Sequence, residues 1–190
     1  IATARRLGAI VMATDVRAIA SEQVESLGAT FIAPPNMENM ETAGGYAKEI
    51  DQEMKRQQSE IIADTLKKTD LAICTALVPG RRAPVLIDDG MIKGMRHGSI
   101  IVDLAVEQGG NCTLSQAGKV IEAHGVRIIG YQNVPSRIAM DASSQYARNL
   151  LHFLSIIVKD GSVSIDWEDE IIKSTLITHN GKVVHNGPTN

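Results

Sequence analysis

Ile10-Val11-Met12-Ala13-Thr14-Asp15 is a short apolar run ending in an acid, and no other feature restricts the fold as strongly. A run this short, without polar alternation, suits a strand covered on both faces, the habit of parallel sheets held between helices. The pattern recurs. Ala20 to Leu27 is helical in character and Gly28 closes it, after which Thr30-Phe31-Ile32 reads as a strand stopped by Pro34-Pro35. Tyr46 to Lys68 is expected to form one long helix, with Ile50, Met54, Ile61 and Leu66 at approximately helical spacing. Asp70 to Ala76 reads as a strand before the Pro79-Gly80 turn, Asp88 to Met95 as a short helix, and Ser99 to Leu104 as another strand. Leu114 to His124 is expected to be helical, Val126 to Tyr131 a further strand, and Ala139 to Lys159 a second long helix. Strands alternating with helices imply an α/β fold built on a doubly wound, mostly parallel sheet with right-handed crossovers.

The texture changes toward the end, where Ile165 to Asp169 and Thr175 to Val184 look extended, the latter as a hairpin turning at Asn180-Gly181. Residues 1–160 are therefore expected to form the α/β domain, and 161–190 a segment belonging to a second subdomain. At the other end, Ile1 to Leu7 reads as the last turns of a helix capped by Gly8, with no Ser, Asp or Asn before it to hold its free N–H groups. A strand and a glycine-rich turn ordinarily feed such a helix. The sheet is thus expected to lack its first strand and Gly-rich turn, at the center of the usual strand order.

Composition narrows the function. Aromatic residues make up only 3% of the 190, so the core must rest on small aliphatic side chains, which suits helices layered on a sheet. A net charge of -3 and the lack of a basic stripe exclude a dedicated nucleic-acid binder. Cys74 and Cys112 lie far apart in apolar or small-residue surroundings, which argues against a disulfide framework. No apolar run approaches the roughly 20 residues that cross a bilayer. Leu150 to Val158 reads instead as a buried helix, with His152 a satisfied core histidine, and the start does not read as a signal peptide. The five histidines show no metal-ligand spacing, so no metal site is expected.

Four stretches carry candidate chemistry. Asp15 ends the first strand; an acid at that point of a dinucleotide fold bonds the adenosine ribose hydroxyls and repels a 2′-phosphate, favoring NAD over NADP. The plain alternative is a turn or capping Asp, and Arg17 pulls toward NADP, since an Arg there accommodates the phosphate. Thr75-Ala76-Leu77-Val78-Pro79-Gly80 follows a strand whose carboxyl end is where open sheets bind ligands, although an ordinary loop would read the same way. Asp103 and Glu107, before Gly109-Gly110, are either site-lining acids or turn chemistry beside a solvated acid. Glu41 to Lys48 sets Tyr46 after two glycines, as a closing lid requires and as a bland surface loop also permits.

Taken in order, Val11 to Arg17, Glu22 to Gly28, Thr42 to Lys48, Thr75 to Gly80, Val102 to Asn111 and Asn133 to Arg137 resemble the NAD(H)-binding, Rossmann-type domain I of the alpha subunit of proton-translocating transhydrogenase. That enzyme shares a family with alanine dehydrogenase. The resemblance implies that Asp15, Val16 and Arg17 surround the adenosine ribose, and that Gly45 and Tyr46 belong to a loop closing on NAD(H). It implies that Gln58, Thr75, Ala76 and Leu77 also line the nucleotide site. It further implies direct hydride transfer to NADP(H) on a partner domain, coupled to proton translocation by a membrane domain. This chain would then carry no general base, because no substrate hydroxyl loses a proton. A homodimer, peripheral attachment at the cytoplasmic or matrix face of the inner membrane, no nucleic acid and no metal are also implied, with the piece inactive alone. Alanine dehydrogenase is the rival; there the acid at the Glu107 position is an Asp that takes part in catalysis. A nucleotide-binding module without turnover of its own is the other alternative.

Overall fold

The computed structural model describes residues 1–17, 19–34, 52–78 and 80–184, and the chain divides into two compact units, Ile1–Gln132 and Asn133–Asn190. The first unit opens with α1 (Ala2–Arg6), β1 (Met12–Ala13), α2 (Ile19–Ser26) and β2 (Thr30–Phe31). Gly8 and Gly28 take φ of 90° and 75° just past α1 and α2, the left-handed turn that lets a helix end and the chain double back into a strand. β1 and β2 pair in parallel, Met12 opposite Thr30.

The main sheet follows: α3 (Gln52–Leu66), β3 (Leu71–Cys74), α4 (Asp89–Lys93), β4 (Ile100–Asp103), β5 (Val120–Ala123) and β6 (Val126–Ile129). Its order is β3-β4-β6-β5, with β3, β4 and β6 parallel and β5 antiparallel. Asp88 starts α4 by accepting the Met91 N–H at 2.8 Å, an ordinary N-cap. The core lies between this sheet and the α3–α4 side, built from Leu66, Ile87, Ile92, Met95, Ile101, Val126 and Ile128. The mixed α/β, parallel-dominated architecture agrees with the sequence reading. The described residues of this unit form two separate ladders, however, and supply no strand that joins β1–β2 to β3–β4–β6–β5.

One expected helix is a hairpin. Leu114 to His124 contains the turn at Gly118 (φ 75°) and then β5, which folds back on β6 through His124 and Gly125, with φ of 53° and 74°. Two successive positive φ values make the tight turn whose twist matches paired strands. Val120, Ile121, Glu122 and Ala123 alternate exposed and half-buried, a period of two that overrides their moderate helix preference.

The second unit holds α5 (Ala139–Ile157), β7 (Val158–Lys159), β8 (Ser162–Val163), α6 (Glu170–Thr175), β9 (Thr178–His179) and β10 (Lys182–Val183). The hairpin at Asn180-Gly181 forms as expected. Ile165 to Asp169 does not continue as a strand, because Asp169 accepts the N–H groups of Ile171 and Ile172 and caps α6. Nor is Leu150 to Val158 a buried helix: no residue of α5 is buried, and His152 is exposed rather than in a core. Apolar periodicity marks a face that wants a partner, and here Leu150, Leu151 and Leu154 remain open. No helix of the described residues is long and apolar enough to cross a membrane.

Candidate functional site

Because β3, β4 and β6 run in one direction, their carboxyl ends share one edge of the sheet, the edge at which open α/β sheets take ligands. Thr75, Ala76 and Leu77 leave β3 there, Leu104 and Ala105 leave β4, and Gly130 follows β6. Thr75 and Leu77 are exposed and Ala76 between them is half-buried, so this rim offers two side chains outward while its middle residue is held.

The Asn111 side chain holds it, supported by Asp103. Asp103, at the end of β4, has no solvent exposure, and four donors meet its carboxylate: the N–H groups of Ala105 (3.0 Å), Asn111 (2.9 Å) and Cys112 (3.0 Å), and the Ser115 hydroxyl (2.6 Å). A buried carboxylate survives only when its oxygens are satisfied in this way. Gly110 makes the close return of the chain possible. Its φ is 81°, and a Cβ there would stand 2.8 Å from Asp103 Oδ2. Asn111, also fully buried, accepts the Ala76 N–H through Oδ1 (3.0 Å) and donates through Nδ2 to the carbonyls of Ala76 (2.9 Å) and Pro84 (2.7 Å). Asp103 is thus turn chemistry rather than a ligand-facing acid, and Glu107, on the short 3-10 turn Val106–Gln108, is exposed. The signal was present: an acid closing the apolar strand Ile100–Asp103 cannot stay bare, and Gly109-Gly110 supplies the doubling back.

Asp15 lies two residues beyond β1, and it is not opposed by Arg17 but paired with it. The Arg17 guanidinium grips the carboxylate with Nε on Oδ1 (3.0 Å) and Nη2 on Oδ2 (2.9 Å), and the Arg17 backbone N–H adds a bond to Oδ1 at 2.9 Å. Partial burial pushes the Asp15 carboxyl up, but the Arg17 side-chain and backbone hydrogen bonds with its charge outweigh that and hold it below the usual value. The pair is a fork-on-carboxylate contact, and Val16 between the two residues is half-buried.

The remaining candidates are less concentrated. Gln58 is half-buried at the middle of α3, a helix that packs on α4. Gly45 and Tyr46 lie outside the described residues, as does the whole Thr42 to Lys48 stretch. Asp15 and the Thr75–Leu77 rim end strands of two separately bonded ladders, whereas Thr75–Leu77, Asp103 and Asn111 form one hydrogen-bonded group. Cys74 and Cys112 are free and buried; burial, with the Asp103 charge nearby, pushes the Cys74 thiol up to about 12.

Residues 1–186 match the family model described as alanine dehydrogenase/PNT, C-terminal domain. An NAD(P) transhydrogenase alpha-subunit protein from Rhodospirillum rubrum is 54% identical over 97% of this chain and 49% of its own length. The solved transhydrogenase of Sinorhizobium meliloti superposes with a TM-score of 0.75 at 48% identity, over 97% of this chain and 48% of that one. An alanine dehydrogenase from Bacillus subtilis is 30% identical over only 65% of the chain and 34% of its own length. The chain spans 49% of the Rhodospirillum rubrum relative and 36% of the Haemophilus influenzae one, half or less of the transhydrogenase proteins it matches.

Proposed function

This chain belongs to the alanine dehydrogenase/PNT C-terminal domain family, and from that premise we propose that it forms the NAD(H)-binding part of an NAD(P) transhydrogenase alpha subunit. The observation that carries the reading is the Asp15 carboxylate at the end of β1, ionised, 31% exposed and therefore within reach of a ribose diol. Arg17 spends its fork on that carboxylate, so the local charge is balanced before any ligand arrives. A 2′-phosphate would have to displace the acid from its partner, while two sugar hydroxyls need only share it. That difference supports NAD(H) over NADP(H) on this chain.

In this reading Asp15, Val16 and Arg17 hold the adenosine ribose, and Thr75, Ala76 and Leu77 present a low wall against which the dinucleotide lies. Gln58 lines the same site, to which Gly45 and Tyr46 also contribute. Bound NADH supplies a hydride for NADP+ carried by a partner domain, with proton translocation in a membrane domain to which the subunit attaches peripherally. The chain's own work is orientation and exclusion of water. The subunit acts as a homodimer, and this portion alone is inactive.

The test is a fluorescence titration of the complete subunit with NADH and NADPH, followed by mixing with an NADP(H)-binding partner domain and dinucleotide analogues. NADH is expected to bind about tenfold or more tightly than NADPH, a difference of roughly 1.4 kcal/mol. Hydride transfer should appear only with the partner present. Reduction of NAD driven by L-alanine would instead make the protein an alanine dehydrogenase. Tight NADH binding without transfer to any partner would make it a module.

A further inference from the structure

We propose that Asn111 is a positioning residue for the dinucleotide: its side-chain amide stands in for a strand that has turned away, and so fixes the Thr75–Leu77 rim. The inference rests on the reading of that rim as part of the nucleotide site.

β3 and β4 stay paired as far as Cys74 and Asp103, and Leu104 still donates to the Cys74 carbonyl at 3.0 Å. Beyond that point β4 leaves the ladder, because Ala105 enters the 3-10 turn. Two residues past Cys74, Ala76 is the next whose N–H and C=O point toward the departed neighbor, since ladder bonds on one side of a parallel strand recur every second residue. Left alone, both groups would depend on water at a site meant to be covered by ligand.

Asn111 fills the vacancy. A primary amide carries a donor and an acceptor side by side, as a peptide does, and Asn111 applies both to Ala76: Oδ1 accepts its N–H at 3.0 Å and Nδ2 donates to its carbonyl at 2.9 Å. The second Nδ2 hydrogen reaches the Pro84 carbonyl at 2.7 Å. The backbone of Asn111 is itself tied down, its N–H donating to Asp103 Oδ2 and its carbonyl accepting from Leu86 (2.8 Å) and Ile87 (3.0 Å). The end of β3, the end of β4 and the segment leading into α4 are therefore referenced to one buried residue, through its side chain and its backbone. With Ala76 clamped, Thr75 and Leu77, two residues apart and both exposed, project from the same side of a fixed backbone instead of a frayed strand end. The nearest substitutes lose these bonds: Asp lacks the two donors, Ser cannot span both Ala76 groups, and Gln adds a methylene.

The experiment measures NADH affinity of the full-length protein and amide exchange in Asn111→Ala and Asn111→Ser, with Asp15→Asn as a parallel variant. The expected result is a dissociation constant for NADH raised about tenfold, together with faster exchange at Ala76. Protection at Ile101 and Ile128 should be unchanged, which separates a moved rim from a loosened fold. If Asn111→Ala loses that core protection, Asn111→Ser, which leaves room for a bridging water, carries the comparison. Faster exchange at Ala76 with unaltered NADH affinity overturns the positioning role, and does so independently if Asp15→Asn weakens NADH in the same assay. Wild-type protein that fails to bind NADH at all overturns the reading of the site as well.

Discussion

Replacing Asp15 by Asn tests the candidate site most directly, because in the proposed site the carboxylate has two jobs. It neutralizes Arg17 through three hydrogen bonds, and it stands 31% exposed at the end of β1, where a ribose diol can meet it. Asn keeps the shape and one acceptor but loses the charge, so bonds from hydroxyls fall from the charge-assisted class to the neutral one. That change is worth about 1–2 kcal/mol at a half-buried position, roughly a 5- to 30-fold rise in the dissociation constant for NADH. NADPH should move the other way. Arg17 loses its anionic partner and can turn to the 2′-phosphate, so the preference for NADH shrinks from both sides. Isothermal titration with each nucleotide, at one low and one high ionic strength, reads both changes, and the NADPH gain should diminish with salt. An NADH affinity unaltered by the substitution would remove Asp15 from the site. A loss for NADH with no gain for NADPH would refute the idea that the Arg17 pairing selects between them. The pH dependence follows the same carboxylate. Its folded pKa lies below the ordinary value, so its contribution to stability is complete above the ordinary Asp range and is lost as pH falls through the lowered value. NADH affinity should accordingly hold from neutrality through the ordinary Asp range and fail only as pH falls through the lowered value.

Three further outcomes are expected. Cys74, buried with its thiol raised to about 12, should resist alkylation at pH 8 in the folded protein and react once unfolded; since the folded group keeps its proton longer, stability should fall from about pH 9 upward, and Cys74→Ala should flatten that slope in urea titrations. Gly125→Ala places a Cβ at a φ of 74° and 2.6 Å from His97 Nδ1, so it should cost about 1–2 kcal/mol in the urea midpoint, whereas a neutral result would contradict the turn geometry. Asp169→Ala removes the acceptor for two N–H groups at the start of α6 and should cost about 1 kcal/mol, with helix loss seen by amide exchange confined to Glu170–Thr175.

The layered α/β plan was legible because buried parallel strands and their helices leave different periods in the sequence, and because glycines stand where the chain must turn left-handed. Leu114 to His124 misled for a definite reason: Leu, Gln, Ala, Lys and Glu are all good helix formers, and only Gly118 and the pairing of Val120–Ala123 with Val126–Ile129 decide against them. Tertiary pairing, not local preference, settles that stretch. The apolar face of α5 was visible, but no periodicity says whether a partner covers it. Asp15 was legible as an acid following the first strand, but its pairing with Arg17 was not. Residues two apart do not advertise that one will fold its fork back onto the other. Asn111 was passed over because its role depends on where β4 stops, a property of the ladder rather than of the residue.

The two ladders of the first unit lead to a prediction about how it opens. The buried cluster of Leu66, Cys74, Ile87, Ile92, Met95, Ile101, Cys112, Val126 and Ile128 draws nothing from α1, β1, α2 or β2, whose own interior is limited to small groups such as Ala20, Val24 and Ala29. On the β3 edge, Leu71 and Ile73 remain 52% and 59% exposed, so the main sheet gains little there from a neighbor. Burial of apolar area is the chief source of cooperativity, at about 25 cal/mol per Å². A region with so little of it in common with the main core should open on its own, at lower free energy. Native-state exchange of this chain should therefore show Thr30 and Ile32, whose N–H groups bond Val11 and Ala13, losing protection well before Ile101 and Arg127 of the main ladder. Exchange of all four through one common opening would mean that the first ladder is fastened to the second by contacts stronger than those described, and the idea of a divided sheet would have to be abandoned.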